Sequence, residues 1–194
     1  NDHIPELSSV LKLGLYEDLR QTLSFKAAGR LDLPKDVFNA NFNLPNIRDR
    51  LKSQFESLTT VTNETSLRVR DQYEWNPYPT WTAVRIPDPT PSLEAFYSSI
   101  KLNVSSSEVM QSNKPRILIA GCGTGSQVLN TAGLFPKANI TAIDLSISSL
   151  AYAKQKLAEY GVDNVHLYHC DILDVEKLEG NFDIIECVGV LHHM

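Results

Sequence analysis

Three glycines at alternate positions, Gly121, Gly123 and Gly125, follow the apolar run Ile117-Leu118-Ile119-Ala120 and stand directly before a helix-forming segment. Such a turn lets the backbone approach a ligand at a helix N-terminus, because no side chain intervenes and the first amide N–H groups have no partner inside the helix. The next apolar run ends in Asp144-Leu145-Ser146, and the one after it in Cys170-Asp171-Ile172. A carboxylate about 20 residues beyond a glycine turn can accept both hydroxyls of a ribose. An acceptor at Asp171 can take the exocyclic amine of an adenine, with Leu145 and Ile172 on either side of the ring. These residue types in this order suit the binding of a nucleoside. Asp144 also suits a helix N-cap before Ile147, and Asp171 also suits a plain turn.

The glycine spacing narrows the ligand. Gly121, Gly123 and Gly125 give G-x-G-x-G, whereas the dinucleotide fingerprint places its third glycine where this chain has Ser126, so a hydride-transferring dehydrogenase is disfavoured. Cys122 lies within the turn, and the Thr124 hydroxyl and Gln127 amide are the polar groups able to order it.

The elements that must position these residues follow from periodicity. Short β-branched runs at 116–120, 139–144, 165–169 and 182–188 alternate with helical patterns at 126–135 and 146–160. The alternation predicts an α/β fold: a Rossmann-like parallel sheet whose first four strands run in the order 3-2-1-4, with the ligand crevice above strands 1 and 4. Upstream, apolar residues at helical spacing predict helices near 5–28, 45–61, 63–74 and 91–100, the last with Thr90 as N-cap. Five prolines, from Pro77 to Pro91, predict an extended connector over 76–91. The polar stretch from Asn103 to Asn113 is the expected boundary between a mostly helical region, 1–105, and a second domain, 114–194.

Composition bounds the function classes. The 194 residues carry a formal net charge of −5 and show no run of Lys or Arg, so no nucleic-acid partner is expected. No apolar stretch reaches the roughly 20 residues of a membrane helix and no signal peptide is evident, so a soluble, cytoplasmic protein is expected. The three cysteines, Cys122, Cys170 and Cys187, form no C-x-x-C pair. No metal is expected either, since alternation along a strand sends His169 and Cys170 to opposite faces. The glycosylation triplets at Asn63, Asn103 and Asn139 read as chance, the last falling at the start of a buried strand.

Taken together, the glycine loop, Asp144, Asp171 and the segment Phe182-Asp183-Ile184-Ile185 through Val190-Leu191-His192-His193 resemble the four successive motifs of the class I S-adenosylmethionine (SAM)-dependent methyltransferases. The resemblance covers residues 114–194. It implies a SAM cofactor bound across the ends of the four strands, with Gly121, Cys122, Gly123, Thr124, Gly125, Gln127, Asp144, Leu145, Asp171, Ile172 and Val188 as its contacts. Strand 1 ends in Ala120, where many members carry an acidic residue. Further upstream, Gln72-Tyr73-Glu74-Trp75-Asn76-Pro77-Tyr78-Pro79-Thr80-Trp81 resembles a segment that precedes the methyltransferase domain in proteins where that domain follows tetratricopeptide repeats, although no 34-residue repeat is visible in 1–100.

The family's chemistry implies transfer of a methyl group to an unidentified acceptor, a small molecule or a protein side chain. The alternative is a non-catalytic nucleoside-binding module whose helical half docks a protein partner. His192 and His193 follow strand 4; His192 is the expected general base, against the plainer reading of both as helix-start or surface residues. Trp75, Tyr78 and Trp81 are expected to pack the helical region onto the sheet or to cover the cofactor. A domain of the resembling kind continues through three more strands, so this piece alone is expected to bind SAM weakly and turn over little.

Overall fold

The computed structural model describes residues 6–14, 18–103 and 108–193. The chain forms two compact units, 1–50 and 51–194. The expected helix over 5–28 is broken: α1 (Leu7–Leu13) stops at Gly14, and Ser24 opens α2 (Phe25–Ala28) by accepting the Ala27 N–H. A 3₁₀ turn, Leu19–Gln21, capped by Asp18, lies between them, and 15–17 fall outside the described residues. Next, α3 (Lys35–Phe38) passes through a π-helical stretch, Asn39–Asn43, into α4 (Leu44–Lys52). Val10, Leu19, Ala28 and Phe42 form the buried core of the first unit.

The second unit opens with a departure from periodicity. Phe55 and Leu58 continue the apolar spacing of α4, yet 53–61 is not helical: Leu58 N–H donates to His169 O (2.9 Å) and His169 N–H donates to Glu56 O (3.1 Å). The segment thereby bridges the outer edge of the sheet at His169, and Phe55 and Leu58 pack against different core clusters. Next come α5 (Glu64–Trp75), α6 (Leu93–Ser99) and α7 (Glu108–Gln111). Asn63 caps α5 by accepting from Thr65 and Ser66 N–H, whereas Ser92, not Thr90, caps α6. The Thr90 hydroxyl donates to Ser92 O instead. The connector over 76–91 is free of helix and strand.

The sheet follows the order derived from alternation. β1 (Arg116–Ala120), β2 (Asn139–Asp144), β3 (Val165–His169) and β4 (Ile184–Glu186) are all parallel, in the order β3-β2-β1-β4. α8 (Ser126–Leu134) and α9 (Ile147–Glu159) are the crossovers. Moving outward twice in the same direction with right-handed connections puts both helices on one face. There Ile117 and Ile119 of β1 pack with Val128, Leu129 and Leu150, while Leu118 and Ala120 turn to the other face with Ile143 and Cys170. β4 is shorter than the expected 182–188. The compact units also divide earlier than the polar stretch at 103–113, of which 104–107 lie outside the described residues. Trp81, Val84, Phe96 and Tyr97 pack on the sheet's core, which ties 51–103 to the second unit. No helix among the described residues is long and apolar enough to cross a membrane.

Candidate functional site

At the C-terminal ends of the strands the second unit encloses a cavity of about 630 Å³. Such a position, outside the carboxyl ends of an open parallel sheet, is where α/β folds bind ligands, and the volume lies in the usual range of small-molecule sites. Gly121, Cys122, Gly123, Thr124 and Gln127 line it from the turn after β1, and Asp144 and Leu145 from the end of β2. Asp171 and Ile172 line it from the end of β3, and Val188 from beyond β4. Two of the expected contacts do not reach it among the described residues: Gly125 and His192.

The turn is ordered by the strand beside it. Gly121 and Cys122 N–H both donate to Ile143 O (2.9 Å each), and Gly123 N–H donates to Asp144 Oδ2 (2.7 Å). The Asp144 carboxylate thus does the ordering that the sequence left to Thr124 and Gln127. Those two hydrogen-bond elsewhere, Thr124 Oγ1 to Pro79 O in the connector and Gln127 Nε2 to Glu186 Oε2 (2.8 Å) on β4. Gly125 has a packing role: at φ +86°, a Cβ there would lie 2.8 Å from Ala153 Cβ, so the absent side chain lets α9 close against the turn. Gly123 differs, since at φ +52° its Cβ would meet nothing nearer than Tyr78 O at 3.9 Å. Its open side borders the cavity.

Asp144 lines the cavity and anchors the turn before α9, whose N-cap is Ser146 and not Asp144. Its Oδ1 accepts Ser146 N–H (2.8 Å). Asp171, 3% exposed, caps the following 3₁₀ turn through Leu173 N–H (3.0 Å) onto Oδ1 while lining the cavity. Burial pushes the Asp144 carboxyl above its ordinary range, against the pull of the Ser146 and Gly123 N–H groups, and the negative charge of Glu74 adds to the rise. Burial also drives the Cys122 thiol well up, with Asp144 next in effect, so Cys122 is no thiolate nucleophile.

Sequence reasoning missed the wall built by α5. Thr65, Ser66, Val69, Arg70 and Tyr73 all line the cavity. One turn further, Glu74 accepts from the Ser146 hydroxyl (3.0 Å), Ser148 N–H (2.9 Å) and the Ser148 hydroxyl (2.7 Å). Those hydrogen bonds outweigh burial and hold Glu74 below its ordinary range. A helix spacing places residues 66, 69, 70 and 73 on one face, but nothing local says what that face covers. The aromatics of the same stretch divide. Trp81 packs on Tyr152 and Tyr160 (centroids 6.0 and 6.2 Å), Tyr78 lines the cavity, and Trp75 is 89% exposed and packs nothing onto the sheet.

The two histidines differ in what they face. In the 3₁₀ turn Leu191–His193, the His192 side chain is exposed, whereas His193 is half-buried, lines the cavity and meets Tyr73 edge-on (centroids 6.5 Å). Among the described residues no group of His, Cys, Asp or Glu is arranged to hold a metal ion.

With this geometry the comparisons can be placed. Residues 117–194 match the family model of a methyltransferase domain. That stretch begins in β1 and includes the glycine turn, Asp144, Asp171 and His193. An uncharacterized protein of Synechococcus is 36% identical over 144 residues, 74% of this chain and 34% of that protein. A malonyl-[acyl-carrier protein] O-methyltransferase of Bacillus anthracis is 43% identical over 70 residues, 36% of this chain and 24% of the enzyme. Among solved structures, PKMT2 from Rickettsia typhi in complex with AdoHcy is similar at 35% identity and a TM-score of 0.38, over 40% of this chain and 15% of that one. The chain therefore spans about a third or less of the length of these relatives.

The raised Asp144 carboxyl gives a prediction. The ionised carboxylate accepts ribose hydroxyls more strongly than the protonated acid, which keeps only its carbonyl oxygen as a good acceptor, so affinity for an adenine nucleoside is expected to fall as pH drops, starting above the ordinary Asp range of about 4. Calorimetric titration with adenosine across pH checks this, and an affinity flat down to the ordinary range would contradict it. The stability effects run in opposite senses. A raised folded value makes the Asp144 contribution complete below its unfolded value and lost as pH rises through the folded one; the lowered Glu74 value makes that contribution present above its unfolded value and lost on acidification through the folded one.

Proposed function

We propose that this chain holds the cofactor of a SAM-dependent methyltransferase. The observation that carries the reading is the convergence on one cavity of Gly123, Asp144 and Asp171, all three within the region that matches a methyltransferase domain. The cavity suits the cofactor: an open-faced glycine, a carboxylate with an unshared lone pair on each oxygen, and Leu145 and Ile172 as apolar neighbours. Asp144 would accept the ribose hydroxyls, Asp171 the adenine amine, and Leu145 and Ile172 would flank the ring.

SAM supplies an activated methyl group together with its leaving group. The protein is left with positioning and with holding the acceptor's proton. No nucleophile of the chain is required, which agrees with the protonated Cys122. His193, which lines the cavity and meets the Tyr73 ring edge-on, would take that proton. The acceptor is a small molecule or a protein side chain.

Titration calorimetry with S-adenosylhomocysteine and with NAD tests the cofactor; binding of NAD alone overturns the reading. With methyl-labelled SAM and a cell extract as the acceptor source, His193→Ala is expected to lower label transfer by about 10²-fold or more, while His192→Ala changes it less than about twofold. The reverse order would return the role to His192.

A further inference from the structure

Tyr73 of α5 and His193 of the turn after β4 meet edge-on, with ring centroids 6.5 Å apart, and both line the cavity. Little else holds the imidazole. His193 N–H closes its turn by donating to Val190 O (2.9 Å), and among the described residues no side chain hydrogen-bonds the ring. The His192 ring, 4.0 Å away between centroids, is exposed and belongs to the same three-residue turn, so it moves with His193 and fixes nothing. Tyr73 brings a wall from a distant part of the chain.

That wall is anchored. Glu74, the next residue, accepts from the Ser146 hydroxyl, Ser148 N–H and the Ser148 hydroxyl (3.0, 2.9 and 2.7 Å), and Asp144 holds the same turn through Ser146 N–H (2.8 Å). Polar contacts thus join the turn beside Asp144 to α5, and the Tyr73 ring carries the connection on to His193. A base is ordinarily oriented by a third group, most often through a hydrogen bond. For a ring that lacks one, an edge-on aromatic contact of about 0.5–1.5 kcal/mol can serve.

We propose that Tyr73 is a positioning residue, whose ring sets the angle at which the His193 imidazole faces the acceptor. The inference rests on the reading of His193 as the group that takes the acceptor's proton. The ring acts and not its hydroxyl, so Tyr73→Leu lowers transfer from saturating methyl-labelled SAM to a cell extract about tenfold, and Tyr73→Phe restores it to within about threefold of wild type. Affinity for S-adenosylhomocysteine, measured by calorimetry, stays within about twofold in both variants, because Asp144 and Asp171 are untouched.

A double-mutant cycle with His193→Ala gives the test. Acting through His193, Tyr73→Leu costs less than about twofold further once the imidazole is gone. Thermal unfolding checks each variant, and Tyr73→Met takes the place of Leu should Leu melt below the assay temperature. An equal loss in both backgrounds shows that Tyr73 meets the acceptor itself and overturns the inference. So does a Phe variant as slow as Leu, or an S-adenosylhomocysteine affinity that falls by the same factor as transfer. Unchanged transfer in Tyr73→Leu overturns it too, while leaving the His193 reading intact; unchanged transfer in His193→Ala overturns that reading and this inference together.

Discussion

Asp144→Ala is expected to weaken adenosine and S-adenosylhomocysteine binding by at least about 100-fold, the largest effect of any single side chain in the site. Two hydrogen bonds from ribose to a charged acceptor contribute roughly 1.5–3 kcal/mol each, and a factor of 100 corresponds to about 2.7 kcal/mol. The substitution also strips Gly123 and Ser146 N–H of their acceptor, so the turn that borders the cavity loses its order at the same moment. Asp144→Asn is not conservative here. Each carboxylate oxygen receives a backbone N–H, and the amide nitrogen of Asn would turn a donor toward one of those donors. Affinity for adenosine is therefore expected to fall in Asn as well, by at least about tenfold. Isothermal titration separates the cases. An Asn variant that binds as wild type does would mean the ribose is held elsewhere.

The second large effect divides two neighbouring glycines by what each one faces. Gly125→Ala is expected to destabilise the fold by roughly 2–5 kcal/mol, combining a positive φ with overpacking against α9. The clash is with Ala153 Cβ at 2.8 Å and with its Cα at 3.1 Å, so the helix backbone itself has to yield. The melting temperature should drop by about 5–15 °C. Gly123→Ala carries the strain of its φ alone, about 1 kcal/mol, because no atom lies within clashing distance. Its methyl group enters the cavity instead, so affinity for S-adenosylhomocysteine should fall more than about tenfold while the fold survives. Thermal unfolding and titration of both variants check the division, and an equal loss of stability in the two would contradict it.

Much of this arrangement is legible in the residues because it is local. Period-two runs that end in Gly121, Asp144 and Asp171 mark the strand tips, and the sheet adopts the Rossmann-type order among those that right-handed crossovers allow. Three features escape for physical reasons. The segment 53–61 carries Phe55 and Leu58 at a spacing that suits a helix, and only the unpaired edge of β3, more than 100 residues away, draws it into an extended pairing. His192 and His193 are adjacent, and which of them faces the cavity depends on the rotation of a short 3₁₀ turn that periodicity cannot resolve over three residues. Glu74 and the cavity face of α5 serve a partner far along the chain, so their spacing marks a helix face without saying that it closes a ligand site.

The most direct test of the account is a crystal structure of the chain with S-adenosylhomocysteine. The adenine is expected between Leu145 and Ile172 with its amine on Asp171, and the ribose hydroxyls on Asp144 beside the open face of Gly123. A nucleoside bound outside this cavity, or bound within it with Asp144 and Asp171 untouched, would contradict it.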